Sequence, residues 1–124
     1  MKQEIIIEET KCTPSVYFEQ EKNLLVISGR SIPENPEKIY SKIQDWIDNY
    51  LKGHDSLNID IRFDYLNSGS SKYLFYIIKH LSALHKKDKM VKIVWYYEED
   101  DESMQELGEY IDSTFDIPVT LEVF

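Results

Sequence analysis

Apolar positions along the chain fall into short strand-like runs first and helical stripes later. Residues 3–8, QEIIIE, read as a short strand, and Thr13-Pro14-Ser15 breaks it. Val16-Tyr17-Phe18 and Leu24-Leu25-Val26-Ile27 read as two more strands, joined by the polar turn Glu19–Asn23 in a hairpin pattern. Gly29 to Pro36 reads as a loop that ends in a helix start, with Asn35 as N-cap and Pro36 at the first helical position. Ile39, Ile43, Trp46, Ile47 and Tyr50 then recur at helical spacing, and Gly53 closes that helix. Leu57 to Phe63 alternates cleanly and predicts a strand. Leu74, Ile77, Ile78, Leu81 and Leu84 form the stripe of a second helix, and Met90–Tyr97 is a strand rich in Val, Ile and aromatics. Glu98–Ser103 is acidic, as a helix N-terminus prefers, and Met104, Leu107 and Ile111 give the third helix a narrow apolar face. Val119–Val123 is the last strand.

The resulting order is β-β-β-α-β-α-β-α-β. From the third strand on, strands and helices alternate, which favours parallel crossovers with helices packed on a sheet. The expected fold is therefore α/β: a single domain over residues 1–124, with a mixed β-sheet of about six strands packed against three amphipathic helices. In such folds binding sites lie at the carboxyl ends of the strands.

Length and composition sharpen this picture. A chain of 124 residues is long enough for one sizeable core, and 42% hydrophobic with 13% aromatic residues is a globular composition. No apolar run approaches the roughly 20 residues needed to cross a bilayer. The start, MKQEIIIEETK, has only three consecutive apolar residues among acids, unlike a signal peptide, so a cytoplasmic location is expected. A net charge of −9 argues against a nucleic-acid backbone or an anionic membrane as partner. The one basic cluster, His85-Lys86-Lys87-Asp88-Lys89, sits where a helix should end, and cations favour that end. Cys12 is the only cysteine, which excludes an internal disulfide; it reads as a small, partly buried residue rather than a reactive thiol.

Enzyme signatures are absent from the sequence. It has no G-x-S-x-G elbow, no Walker A motif and no G-x-G-x-x-G. His80 and His85 are five apart on one helix, on different faces, and no histidine pair has the i, i+4 spacing of a zinc site. A Ser-His-Asp triad needs no neighbouring members, yet no nucleophile with an adjacent base is marked. The acidic run Glu98-Glu99-Asp100-Asp101-Glu102 lacks EF-hand ligand spacing and reads as a solvated helix start with an Asp or Ser cap, or else as a partner-facing patch. The expectation is a protein that is not an enzyme and takes no metal or cofactor. Among the aromatics, Tyr73 and Tyr76 flank the second helix's stripe and Trp95-Tyr96-Tyr97 closes the fifth strand. Most such residues belong to the core, and a few anchor interfaces.

One stretch stands out chemically. Asn67-Ser68-Gly69-Ser70-Ser71-Lys72 lies between a strand and a helix. Ser68 or Ser70 can cap the helix through its hydroxyl. Alternatively, the turn is a phosphorylation switch, because a phosphate there meets free N–H groups, the positive helix end and Lys72. The two readings are compatible, since a serine can cap until it is phosphorylated.

Four blocks then combine into a resemblance. Thr13-Pro14-Ser15-Val16 follows the first strand, and Gly29-Arg30-Ser31-Ile32-Pro33-Glu34-Asn35 precedes the first helix. Tyr65-Leu66-Asn67-Ser68-Gly69-Ser70-Ser71-Lys72 precedes the second, and Trp95-Tyr96-Tyr97-Glu98-Glu99-Asp100-Asp101-Glu102 leads into the third, with Gly108-Glu109 inside it. In this order and spacing, from about residue 5 to residue 115, the chain resembles the SiaC family of bacterial regulatory phosphoproteins. The resemblance implies a fold like the STAS domain of anti-sigma-factor antagonists. It implies phosphorylation just after the Asn of the turn by a GHKL-type kinase, with removal by a PP2C-type phosphatase. It also implies that the unphosphorylated protein binds and activates a diguanylate cyclase, raising cyclic di-GMP and promoting aggregation or biofilm.

Carried over by position, the phosphoacceptor is Ser68, with Ser70 and Ser71 as alternates. The family's commoner pattern is Asn-Thr-Ser-Ser-Ser-Lys; here Ser replaces Thr at 68 and Gly replaces Ser at 69. Serine keeps the hydroxyl, and Gly69 frees the backbone. If the strands ending at Ser31 and before Asn67 are neighbours, the two loops share one rim, with Arg30, Ser31, Asn67, Gly69 and Lys72 expected to meet the partner. A second reading makes the chain a small-molecule-binding or hydrolytic domain that uses Ser70 or Ser71 in the same strand-end cleft.

Overall fold

The computed structural model describes residues 3–124. Its elements run β1 (Gln3–Ile7), β2 (Ser15–Glu19), β3 (Leu24–Ser31), α1 (Pro36–Gly53), β4 (Ser56–Leu66), α2 (Ser68–His85), β5 (Met90–Tyr97), α3 (Glu102–Thr114) and β6 (Val119–Val123), with a 3₁₀ turn at Gln20–Lys22. The strands form one six-stranded sheet in sequence order. β1, β2 and β3 pair antiparallel, and β3, β4, β5 and β6 pair parallel. This is the mixed α/β sheet with three helices expected from the sequence.

The three crossovers all step the same way along the sheet, so right-handed connections put the helices on one face. Burial records that layering. Leu57, Ile59, Ile61 and Phe63 of β4 are buried, whereas Asn58 and Arg62 between them are exposed and Asp60 is half-buried. The buried row packs against Tyr40, Ile43, Ile47 and Leu51 of α1 and Leu74, Ile77, Ile78 and Leu81 of α2. On the open face the Arg62 guanidinium lies 4.9 Å from the Phe124 ring centroid and 5.4 Å from that of Tyr96.

Two strand boundaries and the exposure of one residue differ from the sequence reading. β3 continues through Ser31 and β4 through Leu66, past the apolar runs that end at Ile27 and Phe63. In β3 the added residues keep the period of two, with Ser28 and Arg30 on the open face, whereas β4 has one extra residue at Asp64, after which pairing resumes at Tyr65 and runs to Leu66. Gly29, Arg30 and Ser31 therefore belong to a strand rather than a loop. Cys12 is exposed rather than partly buried, because the segment after β1 runs along the surface.

Trp95 anchors the far side of the core. It is fully buried, and its indole N–H donates to the Met104 carbonyl at 2.9 Å. Gly108 of α3 lies over the ring: a Cβ there would sit 2.5 Å from Trp95 Cδ1 and 2.8 Å from Nε1. Gly108→Ala is therefore expected to destabilise the fold by about 1–3 kcal/mol through overpacking, despite alanine's better helix propensity. Urea unfolding of the variant measures it.

Candidate functional site

Parallel strands β3 and β4 carry their chains to the same edge of the sheet. Ser31 pairs with Leu66 at the end of the ladder, and the Asn67 N–H donates to the Ser31 carbonyl at 3.2 Å. The two loops therefore do share one rim. The ladder shifts register between Gly29 and Arg30, so that Arg30 pairs with Tyr65; both side chains are exposed. Gly29 adopts φ +97, a backbone conformation that favours glycine; a Cβ there would also lie 2.5 Å from Glu9 Oε2, the tip of an exposed side chain that can move aside. The starts of α1 and α2 also touch, since a Cβ at Gly69 would lie 3.9 Å from Pro36 Cγ and 3.8 Å from Asn67 Oδ1. Those are ordinary contacts, so serine also fits at 69 and the glycine does not distort the turn.

Within the turn, the cap is Asn67 rather than a serine. Its side-chain oxygen accepts from the Ser70 N–H at 2.8 Å. The two other helices are capped alike, Asn35 accepting from the Lys38 N–H at 3.4 Å and Asp101 from the Met104 N–H at 3.1 Å. Asn67→Ala is expected to remove the α2 cap and lower stability by about 1 kcal/mol, read by thermal or urea unfolding.

With the cap assigned to Asn67, the three serines separate. Ser70 has no exposed surface, and Ser31 donates to its hydroxyl oxygen at 3.0 Å. The Tyr40 hydroxyl completes this buried chain at 2.7 Å from Ser31 Oγ. Burial pushes the Tyr40 phenol up to about 12, so it stays a neutral donor. Ser70 is thereby withdrawn from the surface, which argues against it as an alternate acceptor. Ser31, expected to meet the partner, is also fully buried and braces the rim from inside. Ser71 is half-buried, and its hydroxyl turns back to the Ser68 carbonyl at 2.9 Å. Ser68 is exposed at the first position of α2, and among the described residues its hydroxyl has no hydrogen-bond partner. Lys72, one turn on, is exposed, with its ammonium 5.8 Å and 5.9 Å from the ring centroids of Tyr73 and Tyr76.

Other chemistry-bearing residues lie elsewhere. His80 Nε2 is 2.6 Å from Asp48 Oδ1, and His85 Nδ1 accepts from the Val91 N–H at 3.3 Å. Glu98, Glu99 and Asp100 are exposed, and Asp101 serves as the α3 cap. A cleft of about 640 Å³ lies away from the strand-end rim; it is lined by Glu4, Phe18, Trp46, Tyr50 and His54 at the opposite end of the sheet. Trp46 and Tyr50 stack there at 5.1 Å, and the Trp46 indole donates to Glu4 at 3.1 Å. Among the described residues no helix is long and apolar enough to cross a membrane.

Residues 7–124 match the SiaC family of regulatory phosphoproteins. The chain belongs to the SiaC family. Structural likeness is as extensive. SiaC of Pseudomonas aeruginosa superposes with a TM-score of 0.87 at 26% identity, over the whole of both chains. Apo-SiaC from the same organism gives 0.84 at 27% identity, over 98% of this chain and 99% of that one. The crystal structure of the diguanylate cyclase SiaD in complex with its activator SiaC contains a chain matching at 0.87 and 27% identity, over 95% and 98%. An uncharacterized protein of Pseudomonas aeruginosa (strain UCBPP-PA14) is 28% identical over 114 residues, 91% of this chain and 90% of its own. As a SiaC-family member the chain is a regulatory protein, and its serine turn lies on the rim described above.

Proposed function

We propose that this protein is a non-enzymatic signalling switch that binds a diguanylate cyclase while Ser68 is unmodified and releases it when Ser68 is phosphorylated. One observation carries the choice of residue. Of the three turn hydroxyls, Ser70 is buried in a hydrogen-bonded chain and Ser71 is turned onto a carbonyl, whereas Ser68 is exposed and uncommitted. The partner is supported by the relative whose structure holds SiaC with the cyclase SiaD, which it activates.

The chemistry of the switch follows from position. A phosphoryl group on Ser68 would add roughly −1.5 to −2 charge at the first turn of α2. Unsatisfied N–H groups and the positive helix end favour an anion there. Lys72 is four residues on, the spacing at which helix side chains meet. Arg30 and Tyr65 stand exposed on the same rim, next to the surface a docked partner would cover. The phosphoryl group would fill that surface and reverse its charge. A GHKL-type kinase and a PP2C-type phosphatase would write and erase the mark. The output would be cyclic di-GMP signalling, with aggregation or biofilm as its consequence, in the cytoplasm.

The test is a titration of a diguanylate cyclase from the same organism with the unmodified protein and with protein phosphorylated stoichiometrically on Ser68. The expected loss of affinity on phosphorylation is about tenfold or more, equivalent to about 1.4 kcal/mol. Equal affinities would contradict the proposal.

A further inference from the structure

Between α1 and α2 lies a groove of about 180 Å³. It is lined by Glu37, Ser41 and Asp45 on α1 and by Tyr73 and Tyr76 on α2, and Glu37 directly follows Pro36, which packs near Gly69 of the serine turn. The spacing explains the alignment. Glu37, Ser41 and Asp45 are four apart on one helix face, and Gly69, Tyr73 and Tyr76 follow at four and three on the other.

Three features of the groove agree on the charge it would take. No lining residue is cationic, while two are carboxylates. Neither Glu37 nor Asp45 has an ion-pair partner among the described residues. Further along the same seam, Asp48 of α1 does meet a basic group of α2, His80, at 2.6 Å. The seam thus pairs acid with base at that level, whereas the groove itself is lined by two acids and no base, the cation nearest Tyr73 and Tyr76 being Lys72 outside its lining. The rings themselves accept a cation: the Lys72 ammonium already lies within 6 Å of both centroids from the rim side.

We propose that this groove receives an arginine side chain of the partner, docked beside the Ser68 turn. A guanidinium suits it for two reasons. Its plane stacks on tyrosine, and its fork of donors reaches carboxylates on a facing wall. The volume is below the roughly 300 Å³ at which small-molecule pockets begin, and suits one inserted side chain. This rests on the partner-binding reading above and names the chemistry that the partner brings.

The experiment uses the full-length, unphosphorylated protein and N-acetyl-L-arginine amide as probe, with the citrulline analogue as its neutral isostere. Side-chain NMR signals of Tyr73 and Tyr76 are followed during titration. The arginine probe is expected to shift both tyrosines saturably, and the citrulline analogue is not. The double variant Glu37→Gln/Asp45→Asn, at two exposed positions, is expected to weaken the probe by about fivefold or more. Absence of shifts, equal shifts with citrulline, or unchanged binding to the double variant would each overturn the proposal. The probe needs neither the cyclase nor a phosphoryl group, so its failure leaves the Ser68 switch standing, and failure of the switch leaves the probe result unaffected.

Discussion

Ser68→Ala is expected to fold like the parent chain, to take no phosphoryl group, and to hold the cyclase whether or not a kinase is present. Structural silence follows from the cap assignment. Asn67 satisfies the Ser70 N–H, and among the described residues the Ser68 hydroxyl has no partner. Exposed substitutions away from such features change stability by no more than about 0.5 kcal/mol, and alanine is the best helix former. Any change in partner binding by this variant is then a change in regulation and not in folding. Ser68→Asp should weaken the cyclase only in part, because a carboxylate has less charge and fewer acceptor oxygens than a phosphate. Pull-down of the cyclase by both variants, with and without kinase, gives the comparison. A kinase that still releases the cyclase from Ser68→Ala would show that the acceptor lies elsewhere.

The largest effect on stability is expected from Trp95→Ala, at about 3–5 kcal/mol. The indole is fully buried, its ring meets Phe63 edge-on at 6.4 Å, and its N–H holds the Met104 carbonyl. Removing it leaves a cavity against the bare face of Gly108 and takes the indole donor away from the Met104 carbonyl in the first turn of α3. Domains of this kind have about 5–15 kcal/mol in total, so the urea midpoint should fall by a large fraction. A midpoint within experimental error of the parent's would contradict the packing described for α3.

Much of the fold is legible in the chain because its periods are clean. Ile43 and Ile47 of α1, or Leu74, Ile78 and Leu81 of α2, recur at helical spacing and are all buried. Leu57 to Phe63 alternates, and every second residue is buried. What the pattern hides are the strand ends. Ser28, Arg30 and Asp64 interrupt an apolar run although the ladder continues, because one face of this sheet is open and tolerates polar side chains.

The site was legible as a location but not as an arrangement. Asn, Ser and Thr are all good caps, so the sequence Asn67-Ser68-Gly69-Ser70 alone does not choose among them; the geometry does. The chain from Tyr40 through Ser31 to Ser70 joins residues up to 39 apart, and no local signal announces it. Its effect on function is direct, since it withdraws one serine from the surface and leaves Ser68 presented. Gly108 did carry a signal. A glycine inside a helix costs about 1 kcal/mol relative to alanine, and such a residue implies close approach, here by Trp95.

The most direct measurement is intact mass followed by peptide mapping of the protein from its native cells, with and without phosphatase treatment. One phosphatase-sensitive phosphoryl group is expected on Ser68 and none on Ser70 or Ser71. A phosphoryl group on Ser70 would contradict the buried hydroxyl chain, and an unmodified turn under every growth condition would contradict the switch.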